Sequence, residues 1–321
     1  MSAAFAAVLV LAVPPGGVPG PAVAATVDTA TQASPTPGAD RRTPYERKLE
    51  RLHAIGWRLA AANARWCGRT VADIGWLLHD ARTYPDPAAM RARHGAEIWV
   101  QAVAPGSPAY RAGLAPGDAP QRAEGLPIAS APPGDPSWQR LIDLNEDLAR
   151  TFEDGRARIE WIRDGRAYAA QVLPRRICPA AFELRASKDN AIADRRRVML
   201  GEEFPGFEWA DAELAAIVAH ELAHVILAHD PRRSSAEDIR QMERIADRLM
   251  PWLLANAGYD PDAAASAMTR IGPSLDRGLR LRPRHDRWRD RVAAIRDEAA
   301  LVARFREEER PLDWRARLSA P

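Results

Sequence analysis

Residues Ala219 to Ala228 read Ala-His-Glu-Leu-Ala-His-Val-Ile-Leu-Ala, a His-Glu-x-x-His motif set inside an apolar run with helical spacing. A helix brings residues four apart onto one face about one turn apart, so His220 and His224 can aim both imidazoles at one ion with Glu221 beside it. The plain alternative is a pair of core or surface histidines holding no metal; the glutamate between them favours the metal. Asp211 and Glu213 stand ahead as first-turn acids, and Leu214, Ile217, Val218, Leu222, Val225 and Ile226 follow at three- and four-residue steps. The spacing predicts a buried amphipathic helix from about 210 to 228, stopped near Asp230-Pro231 because proline disfavours helical geometry in the residue before it.

A catalytic zinc site takes three protein ligands and leaves a fourth position for water. The next segment offers the third. Ser234 and Glu237 have capping-box spacing, and Ile239, Met242, Ile245, Ala246, Leu249, Met250, Leu253 and Leu254 then predict a second helix ending near Gly258. A short connection implies that the two helices pack antiparallel. The second carries Glu243 and Asp247 one turn apart on a common face, where Glu243 can ligate the ion and Asp247 can hydrogen-bond a ligand histidine. Against this stands a solvated charged face, with Arg240, Arg244 and Arg248 as partners of these carboxylates.

The stretch HELAHVILAH, then ERIAD at 243–247, then Asn256-Ala257-Gly258-Tyr259-Asp260-Pro261, resembles the gluzincin peptidases that include HtpX, the CAAX prenyl endopeptidases and BepA. The resemblance implies that His220, His224 and Glu243 bind one Zn2+ and that Glu221 is the general base for a metal-activated water in peptide-bond hydrolysis. Family members also carry a later histidine, in a His-Pro pair six residues before an arginine, near the active site. His285 lies six before Arg291 but is followed by Asp286 in place of proline, and is the candidate for stabilising the oxyanion.

Upstream, Ile98-Trp99-Val100-Gln101-Ala102-Val103 predicts a strand, and Pro105-Gly106-Ser107-Pro108-Ala109 through Ala112-Gly113-Leu114 to Gly117-Asp118 resembles the bacterial PDZ signature. A helix over 138–152 and a hairpin of 157–162 with 167–173 around Asp164-Gly165 complete a unit of about 95–175. Such modules take extended peptide as an added strand. The residues ahead of Ile98, Arg93-His94-Gly95-Ala96-Glu97, offer no clear carboxylate-binding loop. Peptide capture and a purely structural role both stay open. Arg195 to Leu200, just before the zinc-motif helix, resembles the edge strand along which family peptidases pair substrate backbone, which implies extended or unfolded protein substrates.

The amino terminus points to export. Residues 3–13 form an apolar core of signal-peptide length, and Ala22-Val23-Ala24 offers small residues for cleavage; the core is too short to span a bilayer. No positive residue precedes it, so either the signal is atypical or the true start lies upstream. The chain has two cysteines, Cys67 and Cys178. In an oxidising compartment they can pair and close a long loop, worth roughly 4–5 kcal/mol in the chain-entropy model, whereas in a cytosol they would stay free thiols. With 321 residues, 46% hydrophobic and a net charge of +2, the chain supports two modest cores and lacks the basic excess of a nucleic-acid binder. Arg277, Arg280, Arg282, Arg284, Arg287 and Arg289 form a denser run, read as a solvated turn around His285.

The expectation is an α+β chain: a signal-like segment at 1–25, a linker at 26–43, a helical segment at 44–94 that packs on the protease domain, a β-rich PDZ-like domain at 95–175, and at 179–321 a mainly helical zincin-type protease domain with a small edge-strand sheet. It would be a periplasmic or secreted zinc endopeptidase that cleaves unfolded or misassembled envelope proteins and has no transmembrane span. The alternative is a peptide-binding or chaperone-like protein whose zinc site is closed or inactive.

Overall fold

Thr43 starts the first helix with a reciprocal cap: its side chain accepts from the Glu46 amide, and the Glu46 carboxylate accepts from the Thr43 amide at 2.7 Å. The computed structural model describes residues 42–130, 138–186, 188–275 and 286–319. The signal-like segment, nearly all of the linker, and His285 with most of the arginine run lie outside the described residues.

In chain order the elements begin with α1 (Pro44–Ala62), β1 (Val71–Asp73), β2 (Trp76–Asp80), α2 (Pro87–His94), β3 (Ile98–Val103), α3 (Pro108–Arg111), β4 (Ala119–Ala123) and β5 (Leu126–Pro127). Then come α4 (Gln139–Phe152), β6 (Ala157–Arg163), β7 (Arg166–Val172), β8 (Arg175–Ile177), β9 (Ala181–Arg185), β10 (Ala191–Asp194) and β11 (Arg197–Gly201). The helices α5 (Asp211–Ile226), α6 (Ala236–Asn256), α7 (Ala263–Leu275), α8 (Trp288–Glu307) and α9 (Trp314–Ser319) close the chain. The protein is thus α+β, with small, mostly antiparallel sheets and a helical carboxyl-terminal half.

Two apolar clusters organise these elements. One holds Ile74, Trp76, Leu78, Ile98, Val100, Leu148, Ile159 and Trp161, drawing on residues from 72 to 172. Strands β5, β4, β6 and β7 pair in that order, and the expected hairpin runs from Ala157↔Val172 to Arg163↔Arg166. The stretch 68–86, where no strand was expected, supplies β1 and β2, which pair antiparallel with β8 and β3.

The other cluster is built by α5, α6, α7 and α8 together with α1 and one face of the β9–β11 sheet. Here α1 lies close to β9: a Cβ on Gly56 would stand 2.3 Å from the Phe182 ring. Buried Asn63, at the end of α1, donates to the carbonyls of Leu59 and Leu253 and accepts from Asn256, which ties α1 to α6. Sheet order is β10, β11, β9, with β11 antiparallel to β10 and parallel to β9. Arg195–Leu200 is therefore not an edge. The left-handed turn at Arg195 (φ 51°) folds β10 back onto β11, and β10, beside α5, takes the outer position instead.

Cys67, just past α1, and Cys178, just past β8, stand at disulfide distance with Cα atoms 5.7 Å apart. Among the described residues no helix is long and apolar enough to cross a membrane.

Candidate metal centre

Helix α5 is almost wholly apolar, so it sits deep between α1, α6 and α7, and buries His220 and Glu221 along its length. It begins at Asp211 with Asp211 and Glu213 in its first turn and ends at Ile226, close to the expected limits. Helix α6 runs beside it. Its capping box is Ser235 with Asp238, not Ser234 with Glu237; the Ser234 hydroxyl instead donates to the Asp230 carbonyl inside a 3-10 turn at Pro231–Arg233. Two registers of the same serine-acid spacing were present, and the turn decides between them.

The two helices bring His220, His224 and Glu243 together. Their ligand atoms all lie within 4.8 Å of one another. The two Nε2 atoms are 3.2 Å apart; Glu243 Oε2 is 3.3 Å from His220 Nε2, and its Oε1 is 3.4 Å from His224 Nε2. Ligand atoms about 2.0–2.2 Å from a tetrahedral ion are separated by about 3.3–3.6 Å. The donor set therefore fits one zinc-sized ion in chemistry, and each imidazole nitrogen stands at about that separation from one oxygen of Glu243.

Electrostatics favour positive charge at this spot. Nδ1 of His220 faces Asp247 Oδ1 at 3.2 Å, and Asp247 is 2% exposed. Arg291, reaching in from α8 and itself 5% exposed, donates to both oxygens of Asp247 at 2.6 and 2.8 Å and approaches Glu243 at 3.6 Å. Burial alone would depress His220, but Asp247 and Glu243 outweigh it and hold the imidazole up to about 10. His224, depressed by burial and then by the His220 charge, is neutral down to about 3. Burial raises the Glu221 carboxyl to about 7, against the pull of His220 and with the push of Glu243. Burial would raise Asp247 as well; Arg291 and His220 keep it below its ordinary range.

The charged-face alternative for α6 named Arg240, Arg244 and Arg248 as partners of its carboxylates. Arg240 pairs with Glu237, Arg244 with Asp286, and Arg248 with Glu298, so these arginines serve neighbours other than Asp247. Asp286 binds Arg244 through both oxygens at 2.7 and 3.0 Å. That ion pair anchors the chain immediately after His285 one residue away from Glu243 on α6.

Three contributors escaped the sequence reading: Arg291 as the partner of Asp247, Asp286 as an anchor, and His229, whose Nδ1 lies 2.9 Å from His224 Nδ1. Arg291 was visible as a motif residue without a role. His229 closes the quoted HELAHVILAH stretch, again without a role. The chain matches no protein-family model and no curated protein. The site therefore stands on its own geometry.

Proposed function

We propose that this chain is a zinc-dependent endopeptidase of gluzincin type, exported, and acting on unfolded or misassembled envelope proteins in extended conformation. The observation that carries the reading is the convergence of His220 Nε2 and His224 Nε2, 3.2 Å apart, on the Glu243 carboxylate, whose Oε2 and Oε1 lie 3.3 and 3.4 Å from them in turn, beside the buried carboxyl of Glu221. Zinc, when bound there, would lower the pKa of a water toward neutrality and polarise a carbonyl.

Glu221 is the base. Its carboxyl, at about 7, takes a proton from the attacking water at working pH and returns it to the leaving amine. Asp247, held by Arg291, orients His220 from behind. His285 is proposed as the oxyanion partner, with Asp286 and Arg244 holding the backbone beside it. The unit at about 95–175, whose apolar cluster also takes in residues 72–78, is read as a PDZ-like module that delivers or screens peptide, and the cysteine pair suits an oxidising compartment.

Glu221→Gln tests the assignment. The variant is expected to keep one zinc per chain and lose casein cleavage by roughly 10²- to 10⁴-fold, the range general-base catalysis supplies. Full activity in Glu221→Gln, or wild-type cleavage untouched by chelator, would defeat it. A second reading draws on burial: His220 and Glu221 are each only 9% exposed. It makes the chain a peptide-binding protein with a closed zinc site. Stoichiometric zinc without cleavage by the wild type would favour it.

A further inference from the structure

We propose that His229 is the positioning residue of His224: its Nδ1 accepts the proton carried by His224 Nδ1 and so keeps Nε2 of that ring aimed at the ion. The inference rests on the zinc reading above and extends it to a residue outside the motif triad. The tautomers follow from one requirement. If His224 gives its Nε2 lone pair to a metal, the proton of the neutral ring must sit on Nδ1. That N–H then needs an acceptor, and Nδ1 of His229 stands 2.9 Å away with the two rings 70° apart. The proton of neutral His229 is thereby placed on its Nε2.

The backbone is built for this contact. Leu227 caps α5, the Ala228 amide donates to the Val225 carbonyl at 3.2 Å, and the His229 amide donates to the His224 carbonyl at 3.0 Å. These are the two bonds of a Schellman closure, whose penultimate residue takes the left-handed conformation and is commonly glycine. Here it is Ala228 at φ 54°, so the turn is held despite a Cβ. The closure swings His229 back over the last turn of α5. Each ligand histidine then has its own Nδ1 neighbour, the Asp247 carboxylate at 3.2 Å for His220 and a neutral imidazole at 2.9 Å for His224.

Zinc affinity, read by competition with a chromogenic chelator, tests the role in the full chain. His229→Ala is expected to weaken affinity about 10- to 100-fold, the usual loss when the outer partner of a ligand histidine is removed. Asn places its amide oxygen where the histidine places Nδ1, so His229→Asn is expected to stay within about threefold of wild type. Long-range ¹H–¹⁵N spectra of the zinc-loaded wild type should show His224 protonated at Nδ1 and His229 at Nε2. Unchanged affinity in His229→Ala, equal losses in His229→Ala and His229→Asn, or a His224 protonated at Nε2 would overturn the role. A control separates this from failure of the zinc reading itself: His224→Ala and Glu243→Gln must abolish tight binding, and if they do not, the metal site falls along with His229.

Discussion

A regular helix turns 100° per residue, so a position five beyond His224 lies about 140° around the axis from it. His229 belongs on the wrong side of α5 by any periodic reading. Only the left-handed Ala228 returns it, and alanine carries no signal for that conformation. Ala228→Gly removes the strain and is expected to stabilise the fold by roughly 1 kcal/mol in thermal unfolding; a loss of stability would show that the turn is unstrained. Asp73 gives a residue-scale prediction with a pH signature. Burial raises its carboxyl to about 6 although it accepts from the Trp57 indole and the Gly75 amide. A carboxyl raised on folding contributes stability below its unfolded value near 4 that is lost as pH climbs through 6. Asp73→Asn keeps an acceptor without the charge, so its advantage over wild type should be absent near pH 4 and reach about 2 kcal/mol by pH 7 in denaturant titrations. By contrast, the clustering of His220, His224, Glu243 and Asp247 was legible, because side chains one turn apart on a helix stay on one face in three dimensions. Arg291 pairs with a residue 44 positions earlier, and no local pattern records such a partner.

The long elements were read well and the short ones poorly. α5 and α6 carry enough apolar repeats to fix their type and extent within a few residues, whereas β1 has three residues and finds its partner β8 more than a hundred positions later. The order of strands in the β9–β11 sheet was equally hidden, since a strand sequence does not say how many neighbours it has. The approach of α1 to β9 is a property of the pair of elements. Gly56 leaves room for the Phe182 ring, so Gly56→Ala forces one element off the other. It is expected to cost about 1–3 kcal/mol by chemical denaturation. Wild-type stability in Gly56→Ala would mean that the two elements can separate freely.

At the scale of the molecule, the cluster that holds the candidate metal centre is closed by the first described helix and the last ones, with the 72–172 cluster strung between them. Composition anticipated two cores, and the helix read from Tyr45 to about Cys67 was expected to pack on the 179–321 domain; α1 lies among the helices of that half. The bond between Cys67 and Cys178 spans that arrangement with a sequence separation of 111. Replacing both by serine is expected to lower stability by about 4–5 kcal/mol, seen as a fall in Tm of roughly 10 °C. An unchanged Tm would mean that the unfolded chain is not constrained by the link. The same covalent tie decides what a cut does to the chain. A nick at any peptide bond between residues 67 and 178, self-inflicted or otherwise, leaves two fragments that migrate as one species without reductant and as two with it. Damage in the middle of this protein thus stays invisible to a non-reducing gel, and α1 keeps its place against α5 after the backbone that joined them has been broken.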